Sequence, residues 1–418
     1  MKLLFNTSSI ITVKAGENLF KTGSEMSQIG EVKNGAMLFD ETIEFVGPEA
    51  EVREYIKNKN IDLVEEIDAA GRCVLPGFVD SHTHIVFAGN RTEEFGRRLR
   101  GVSYKEIAEE GGGIQTTVKA TQNASIEELM SVGRGLARNA IKHGTTAMEV
   151  KSGYSLTTEG ELKQLRAIRE LNKELPIDLV PTFLGAHDFP KEMKDDHGRY
   201  IDLIVNEMIP QVAEEGLAEY CDAFIDEGYY TVDEGRRVLE AGLENGMMLK
   251  VHCDELADVS AAQLAASMGA VSADHLLFAS DKSIEALVES ETVCGLLPGV
   301  AYFIRMPYAP ARKMIERGAI VAVASDCNPG SSFTENMQQI MQLAAINMHM
   351  TAEETIVAAT LNAAHAIERS DIMGSLEEGK QANFIILDSP NYTDLFYHFG
   401  INHVEQTFVK GRRISCDS

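Results

Sequence analysis

Pro76-Gly77-Phe78-Val79-Asp80-Ser81-His82-Thr83-His84 is an apolar run that ends in His-x-His. Strand side chains alternate faces with period two, so His82 and His84 point the same way. Two imidazoles one strand step apart can grip a single metal ion. The apolar residues before them read as a buried strand of a parallel sheet. A metal at the carboxyl end of such a strand is where a (β/α)8 barrel keeps its chemistry.

Outward from this stretch, strand and helix signals alternate. The candidate strands are residues 77–84, 145–150, 177–187, 220–226, 247–254, 271–276, 292–297 and 320–325. Helical patterns lie between them, over 126–143, 159–175, 232–245 and 260–268. Eight strands over roughly 250 residues suit one barrel. The ends of the chain read differently. Short β-like runs fill residues 2–5, 10–13, 36–39 and 42–46, with a helix over 49–58, and strands return at 383–387 and 404–409. The predicted architecture is therefore α/β: a (β/α)8 TIM-type barrel over 76–367, with a small β-sandwich domain built from residues 1–75 and 368–418.

Composition narrows the partners. The chain has 418 residues, 44% of them apolar, and a formal net charge of -26. That charge argues against nucleic acid and against an anionic membrane surface. A small anionic substrate then needs a local cation. Six cysteines (Cys73, Cys221, Cys253, Cys294, Cys327, Cys416) show no C-x-x-C pairing, and they read as reduced thiols. With no apolar leader and no membrane-length run, the expected location is cytoplasmic. The acidic stretch 49–66 reads as a solvated surface.

The carboxyl ends of the strands carry the metal-type residues. Strand one ends in His82 and His84, strand five carries His252, strand six ends in Asp274-His275, and strand eight runs into Asp326. A lone histidine on an apolar strand is usually a hydrogen-bonded core residue. Four strands offering His or Asp at the same end point instead to one metal. His82, His84, His252 and Asp326 are the assigned ligands, and such an N/O set with an open position suits a hydrolytic divalent ion. Strand four, Cys221 to Asp226, has no lysine to form a bridging carbamate, which favours one metal over two. Alternation turns Cys253 and Cys327 away from the pore. Lys250 shares the parity of His252, and the sequence offers no account of an inward lysine there. Gly111-Gly112-Gly113 permits close backbone approach or loop movement and is not a phosphate loop. His143, His197, His349, His365, His398 and His403 read as structural.

These motifs resemble the amidohydrolase superfamily. The selective ones are Phe87-Ala-Gly-Asn-Arg91, the glycine triplet, Lys151-Ser-Gly-Tyr154, Gly185-Ala-His187, Val251-His-Cys-Asp-Glu255, Ala273-Asp-His275 and Ser325-Asp-Cys-Asn-Pro-Gly330. They are similar to the branch that opens the ring of 4-imidazolone-5-propanoate to N-formimino-L-glutamate. Cys327 and Ser331 stand as variants within that pattern. The resemblance implies zinc or iron on the four ligands and a homodimer. It also implies substrate contacts at Arg91, Tyr154, His187 and Glu255, and a product-binding segment at Asn328, Gly330 and Ser331.

For that chemistry, water must add to a ring carbonyl and a ring C–N bond must break. His275 and Asp326 are the candidates to handle the proton of the water, with His275 also placed for oxyanion stabilisation. Glu255, three residues past His252, is placed to hydrogen-bond ring nitrogens and to pass a proton to the leaving nitrogen. Arg91 is the natural clamp for the propanoate tail, because a guanidinium forks onto a carboxylate. The rival readings are a deaminase or another cyclic amidohydrolase on the same barrel, and a scaffold without activity. A neutral base substrate would not need Arg91, and a scaffold would show eroded ligands.

Overall fold

The computed structural model describes residues 1–16, 18–102, 106–107 and 112–414. Eight parallel strands form the central sheet: β1 (Phe78–Asp80), β2 (Thr145–Lys151), β3 (Asp178–Ala186), β4 (Tyr220–Ile225), β5 (Met248–Cys253), β6 (Ser272–His275), β7 (Val293–Leu296) and β8 (Val321–Val323). They neighbour one another in chain order. All eight lie where the sequence pattern places them.

β1 is shorter than expected, and the reason bears on the site. Beyond Asp80 the chain leaves the regular ladder with β2 and pairs with the segment after β8. Thr83 bridges Cys327, Asp326 N–H donates to the His82 carbonyl, and His84 N–H donates to the Cys327 carbonyl, both at 3.0 Å. Asp80 itself caps the end of β8: its carboxylate accepts from the Ser325 N–H at 2.9 Å and from the Ser325 hydroxyl at 2.5 Å. The barrel is thus closed at its carboxyl rim by the same residues that carry the expected ligands.

At the opposite end the barrel is plugged. Val79 N–H turns away from β8 and donates to the Ala359 carbonyl. The short helix Leu361–His365 follows, and Ala363, Ala364, Ala366, Ile367 and Met373 pack against Val79, Ala147, Val180, Tyr220, Val293 and Ala322. Lys250 ends here. Its Nζ donates to the Ala366 carbonyl at 2.8 Å and lies 5.5 Å from the centre of the Tyr220 ring. The inward lysine therefore ties strand five to the floor of the barrel.

The outer helices start where their caps dictate. Ser125 and Thr231 form capping boxes with Glu128 and Glu234, and so fix the first turns of Ile126–Lys142 and Val232–Glu244. Their apolar faces, among them Leu129, Ala137, Val238 and Leu239, join the main core against the strands. Cys253 and Cys327 belong to this core, as alternation required.

Two further sheets flank the barrel. One has four strands, in the order Ile43–Pro48, Gly35–Phe39, Lys2–Phe5 and Glu65–Asp68. The other has six and mixes both ends of the chain: Phe384–Leu387 pairs with Cys73–Pro76 on one side and Val404–Val409 on the other. Leu4, Met37 and Phe39 from the first sheet pack with Ile10, Val74, Phe384, Ile386 and Phe408 from the second. Phe384 stacks on Phe408 with 4.3 Å between centroids. Since Pro76 ends a strand of this layer and Phe78 begins β1, the layer is continuous with the strand that carries the His-x-His. The charged helix Glu49–Lys59 lies on the outside with only Val52 buried.

Candidate active site

The residues expected at the rim converge on one cavity of about 570 Å³. His84, Arg91, Tyr154, His187, His252, Glu255, His275, Asp326, Asn328 and Ser331 line it, and Phe224, Tyr229, Ile304 and Met306 add apolar wall. Gly330 stands just behind, against Arg91.

His82 and His84 face the same side because Thr83 between them is tied to β2. Thr83 donates its hydroxyl to the Glu149 carbonyl at 2.7 Å, and its carbonyl accepts from Lys151 N–H at 2.9 Å. Among the described residues, His82, His84 and His252 form a group whose ligand atoms all lie within 4.8 Å of one another. Asp326 Oδ1 is 3.3 Å from His84 Nε2 and 3.6 Å from His82 Nε2. Asp326 adopts the left-handed conformation, with φ 48°, where the chain turns off β8 toward this group.

These side chains fit a cation. His82 Nε2, His252 Nε2 and Asp326 Oδ1 are buried with no hydrogen-bond partner among the described residues. Each such atom costs about 1–3 kcal/mol if nothing satisfies it. The imidazoles are held neutral, as ligands must be. Burial, then the Lys151 charge, brings His84 down to about 3 and His82 well below its ordinary range. Burial brings His252 down to about 4 against the pull of Asp222.

Buried carboxylates orient the rings. His82 Nδ1 lies 2.7 Å from Asp274 Oδ2, which fixes this nitrogen as the N–H and leaves Nε2 its lone pair. Asp222 Oδ2 lies 3.0 Å from His252 Nδ1. Asp222 also accepts from Lys151 Nζ at 2.8 Å, and Glu149 accepts from the same nitrogen at 2.6 Å. Burial opposes the charge of Asp222, but His252 and Lys151 outweigh it and hold its pKa far below the usual carboxylate range. Burial raises the Asp274 carboxyl to about 6 despite Lys250 and Lys151 nearby. The sequence pattern gives Glu149 and Asp222 no place, and it sets Lys151 and Asp274 in motifs without assigning either a role.

The proposed proton handlers lie beside this group. His275 stands 5.1 Å from His252, ring centre to ring centre, and neither of its nitrogens has a hydrogen-bond partner among the described residues. Its Nδ1 is 3.5 Å from Glu255 Oε2. Burial pushes the Glu255 carboxyl well above its ordinary value, and the charges of Asp326 and Asp226 add to this. Asp226 also sets the Glu255 loop: its two oxygens accept from the N–H groups of Glu255, Leu256 and Ala257 at 2.7, 2.9 and 3.1 Å.

Glu161 plays the same part for Tyr154. Its carboxylate accepts from the N–H groups of Gly153, Ser155 and Leu156 at 2.7–2.8 Å, and Gln164 accepts from Tyr154 N–H. His187 Nδ1 is 3.0 Å from the Gly153 carbonyl, and its ring stacks beside His84 at 5.1 Å. Asn328 shapes the segment after β8. Its amide group donates to the Asp326 carbonyl and the Ser331 hydroxyl, and its carbonyl oxygen accepts from the N–H groups of Gly330 and Ser331. Arg91 is 9% exposed, and its Nε donates to Glu94 at 2.7 Å. Of the glycine triplet, Gly111 lies outside the described residues, as does Cys416. Gly113 caps the helix Ile114–Asn123 with φ 71°.

Comparison with known proteins agrees with this geometry. The amidohydrolase family model matches residues 73–414. An imidazolonepropionase from Shouchella clausii (strain KSM-K16) is 44% identical over 98% of this chain and 92% of its own length. One from Geobacillus kaustophilus (strain HTA426) is 45% identical over 93% of this chain and 92% of its own. Among solved structures, a Xanthomonas campestris adenosine deaminase with bound zinc superposes with a TM-score of 0.71 at 17% identity, over 99% of this chain and 92% of that one. At that identity the likeness speaks for the fold alone. Family and histidine cluster together make this a metal-ion site. The chain belongs to the amidohydrolase family, alongside its imidazolonepropionase relatives, and is a hydrolase acting on a cyclic-amide C–N bond.

Proposed function

We propose that this enzyme opens the ring of 4-imidazolone-5-propanoate with water, giving N-formimino-L-glutamate. One observation carries the reading: a buried arginine lines the same cavity as His84 and His252, two members of the three-histidine group. A ring with a carboxylate tail needs both. His82, His84, His252 and Asp326 would hold the ion, and its oxygen and nitrogen donors suit zinc or iron. When bound, such an ion polarises the ring carbonyl and lowers the pKa of its water from 15.7 to roughly 7.

The chain's own residues do the rest. Arg91 takes the propanoate tail and so sets the ring's distance from the histidines. Tyr154 and His187 wall the ring on the β2 and β3 side. Asp326 and His275 accept the proton of the attacking water. The water oxygen ends in the new carboxylate, the ring C–N bond breaks, and the departing nitrogen takes a proton from Glu255. Asn328, Gly330 and Ser331 form the segment that holds the product.

The working form is a homodimer in the cytoplasm. Among the described residues five cysteines are buried and unbridged, and Tyr397 and Phe399 present apolar rings to solvent, which supports both parts of that statement. Among the described residues no helix is long and apolar enough to cross a membrane.

The test is spectroscopic. Imidazolonepropanoate is generated enzymatically and its loss of ultraviolet absorbance is followed, with an aminated heterocycle assayed in parallel. Turnover of the first and not the second is expected. The reverse would make this a deaminase.

A further inference from the structure

Glu94 does not line the cavity, yet it is hydrogen-bonded to the residue that would recognise the tail. It lies on the helix Thr92–Leu99, three residues after Arg91. Its Oε2 accepts from Arg91 Nε at 2.7 Å. Its Oε1 accepts from the Gly113 N–H at 3.1 Å and from the Thr116 hydroxyl at 2.9 Å. Both oxygens are therefore engaged, by groups from two separate segments.

The other wall is Gly330. A Cβ built there would stand 2.2 Å from Arg91 Nη1, so the guanidinium packs against bare backbone. That backbone is pinned in turn. Arg98 Nη2 lies 3.2 Å from the Gly330 carbonyl, and the Arg98 guanidinium covers the rings of Phe95 and Phe303 at 5.2 and 4.9 Å. Arg91 thus sits in a slot between a carboxylate and a glycine.

A long arginine side chain has much rotamer freedom to lose on binding an anion. A slot that removes this freedom beforehand strengthens binding without adding a contact. The Glu94 charge works the other way, because it offsets part of the arginine's attraction for a second carboxylate. Bidentate recognition depends on the plane of the guanidinium, so orientation outweighs that loss.

We infer that Glu94 is a positioning residue for the anionic tail, setting the guanidinium plane of Arg91 without touching substrate. The inference rests on the reading of Arg91 as the tail clamp.

Three variants separate geometry from charge. Glu94→Ala removes the acceptor. Glu94→Asp keeps the charge but draws it back by one methylene. Glu94→Gln keeps an oxygen for Nε and drops the charge. Each is measured for KM and kcat on imidazolonepropanoate, for metal content, and for the inhibition constant of the tail-less ring 5-methyl-4-imidazolone. Glu94→Ala and Glu94→Asp should raise KM about 10-fold and leave kcat within about threefold, with tail-less binding and metal content unchanged. Glu94→Gln should recover most of the loss. The inference is overturned if KM is unchanged in Glu94→Asp, if tail-less binding weakens in parallel, or if Glu94→Gln behaves like Glu94→Asp. Arg91→Ala tells the two levels apart. If it leaves KM alone, the clamp reading falls and this inference with it. If it raises KM while the Glu94 variants do not, only the role of Glu94 falls.

Discussion

The histidine side of the cavity is held by strands, and the Arg91 side by loops and one short helix. On the first side two of the three rings have a carboxylate from another strand behind them, Asp274 for His82 and Asp222 for His252. On the second side Arg91 is placed by Glu94, three residues along its own helix, and by the bare face of Gly330. The metal wall is thus built from contacts distant in sequence, and the tail wall from a local contact plus one glycine. A scaffold of this kind keeps its chemistry on rigid elements and its substrate choice on segments that can vary.

Four changes break or sharpen this contrast. The largest effect belongs to His252→Ala, which removes a ligand. Turnover should fall on the order of 10³-fold or more, and metal analysis should show a parallel loss of ion. Asp274→Asn leaves the ligands in place and spoils the tautomer of His82. Metal affinity, measured by competition with a chelator, should drop about 10- to 100-fold. Arg91→Ala belongs to the other wall. KM should rise about 10- to 100-fold, the value of a charged hydrogen-bonded pair, while metal content stays at wild-type level. Loss of metal in Arg91→Ala would erase the distinction between the walls.

The smallest effect is a pH effect far from the cavity. His82 and His403 each have a carboxylate partner, yet they shift in opposite directions. Burial dominates at His82. Burial opposes charge at His403 too, but Asp388 at 2.8 Å and the His398 carbonyl at 2.9 Å outweigh it and raise its pKa. A raised folded-state pKa gives stability that is fully present below the unfolded value, about 6.5, and is lost as pH rises through the folded value. The melting temperature of His403→Gln should therefore fall further below wild type at pH 5.5 than at pH 8.5. An equal gap at both values would contradict the assignment.

The strands were legible because alternation and apolar runs are local signals, and the ligands because they end those runs. The residues behind them were not read. Asp274 lies 192 positions from His82, and no local pattern connects the two. A parity signal was present all the same. Glu149 and Lys151 sit two apart at the end of an otherwise uncharged strand, and Lys250 repeats the anomaly on β5. Charged residues of one parity in such strands need partners inside the barrel: Lys151 pairs with Glu149 and Asp222, and Lys250 donates to the Ala366 carbonyl. The floor helix Leu361–His365 escaped because its alanine-rich sequence does not say what it packs on. Glu94 could have been found from its i,i+3 spacing to Arg91.

The central claim is that four side chains, two from the segment after β1, one from β5 and one from the turn after β8, hold one ion on which turnover depends. Its most direct test is to strip the purified protein with a chelator, add back zinc or iron in steps, and record imidazolonepropanoate turnover against bound metal. Turnover should vanish in the stripped protein and rise in proportion to occupancy until one ion is bound per chain. Full turnover in metal-free protein would contradict the account.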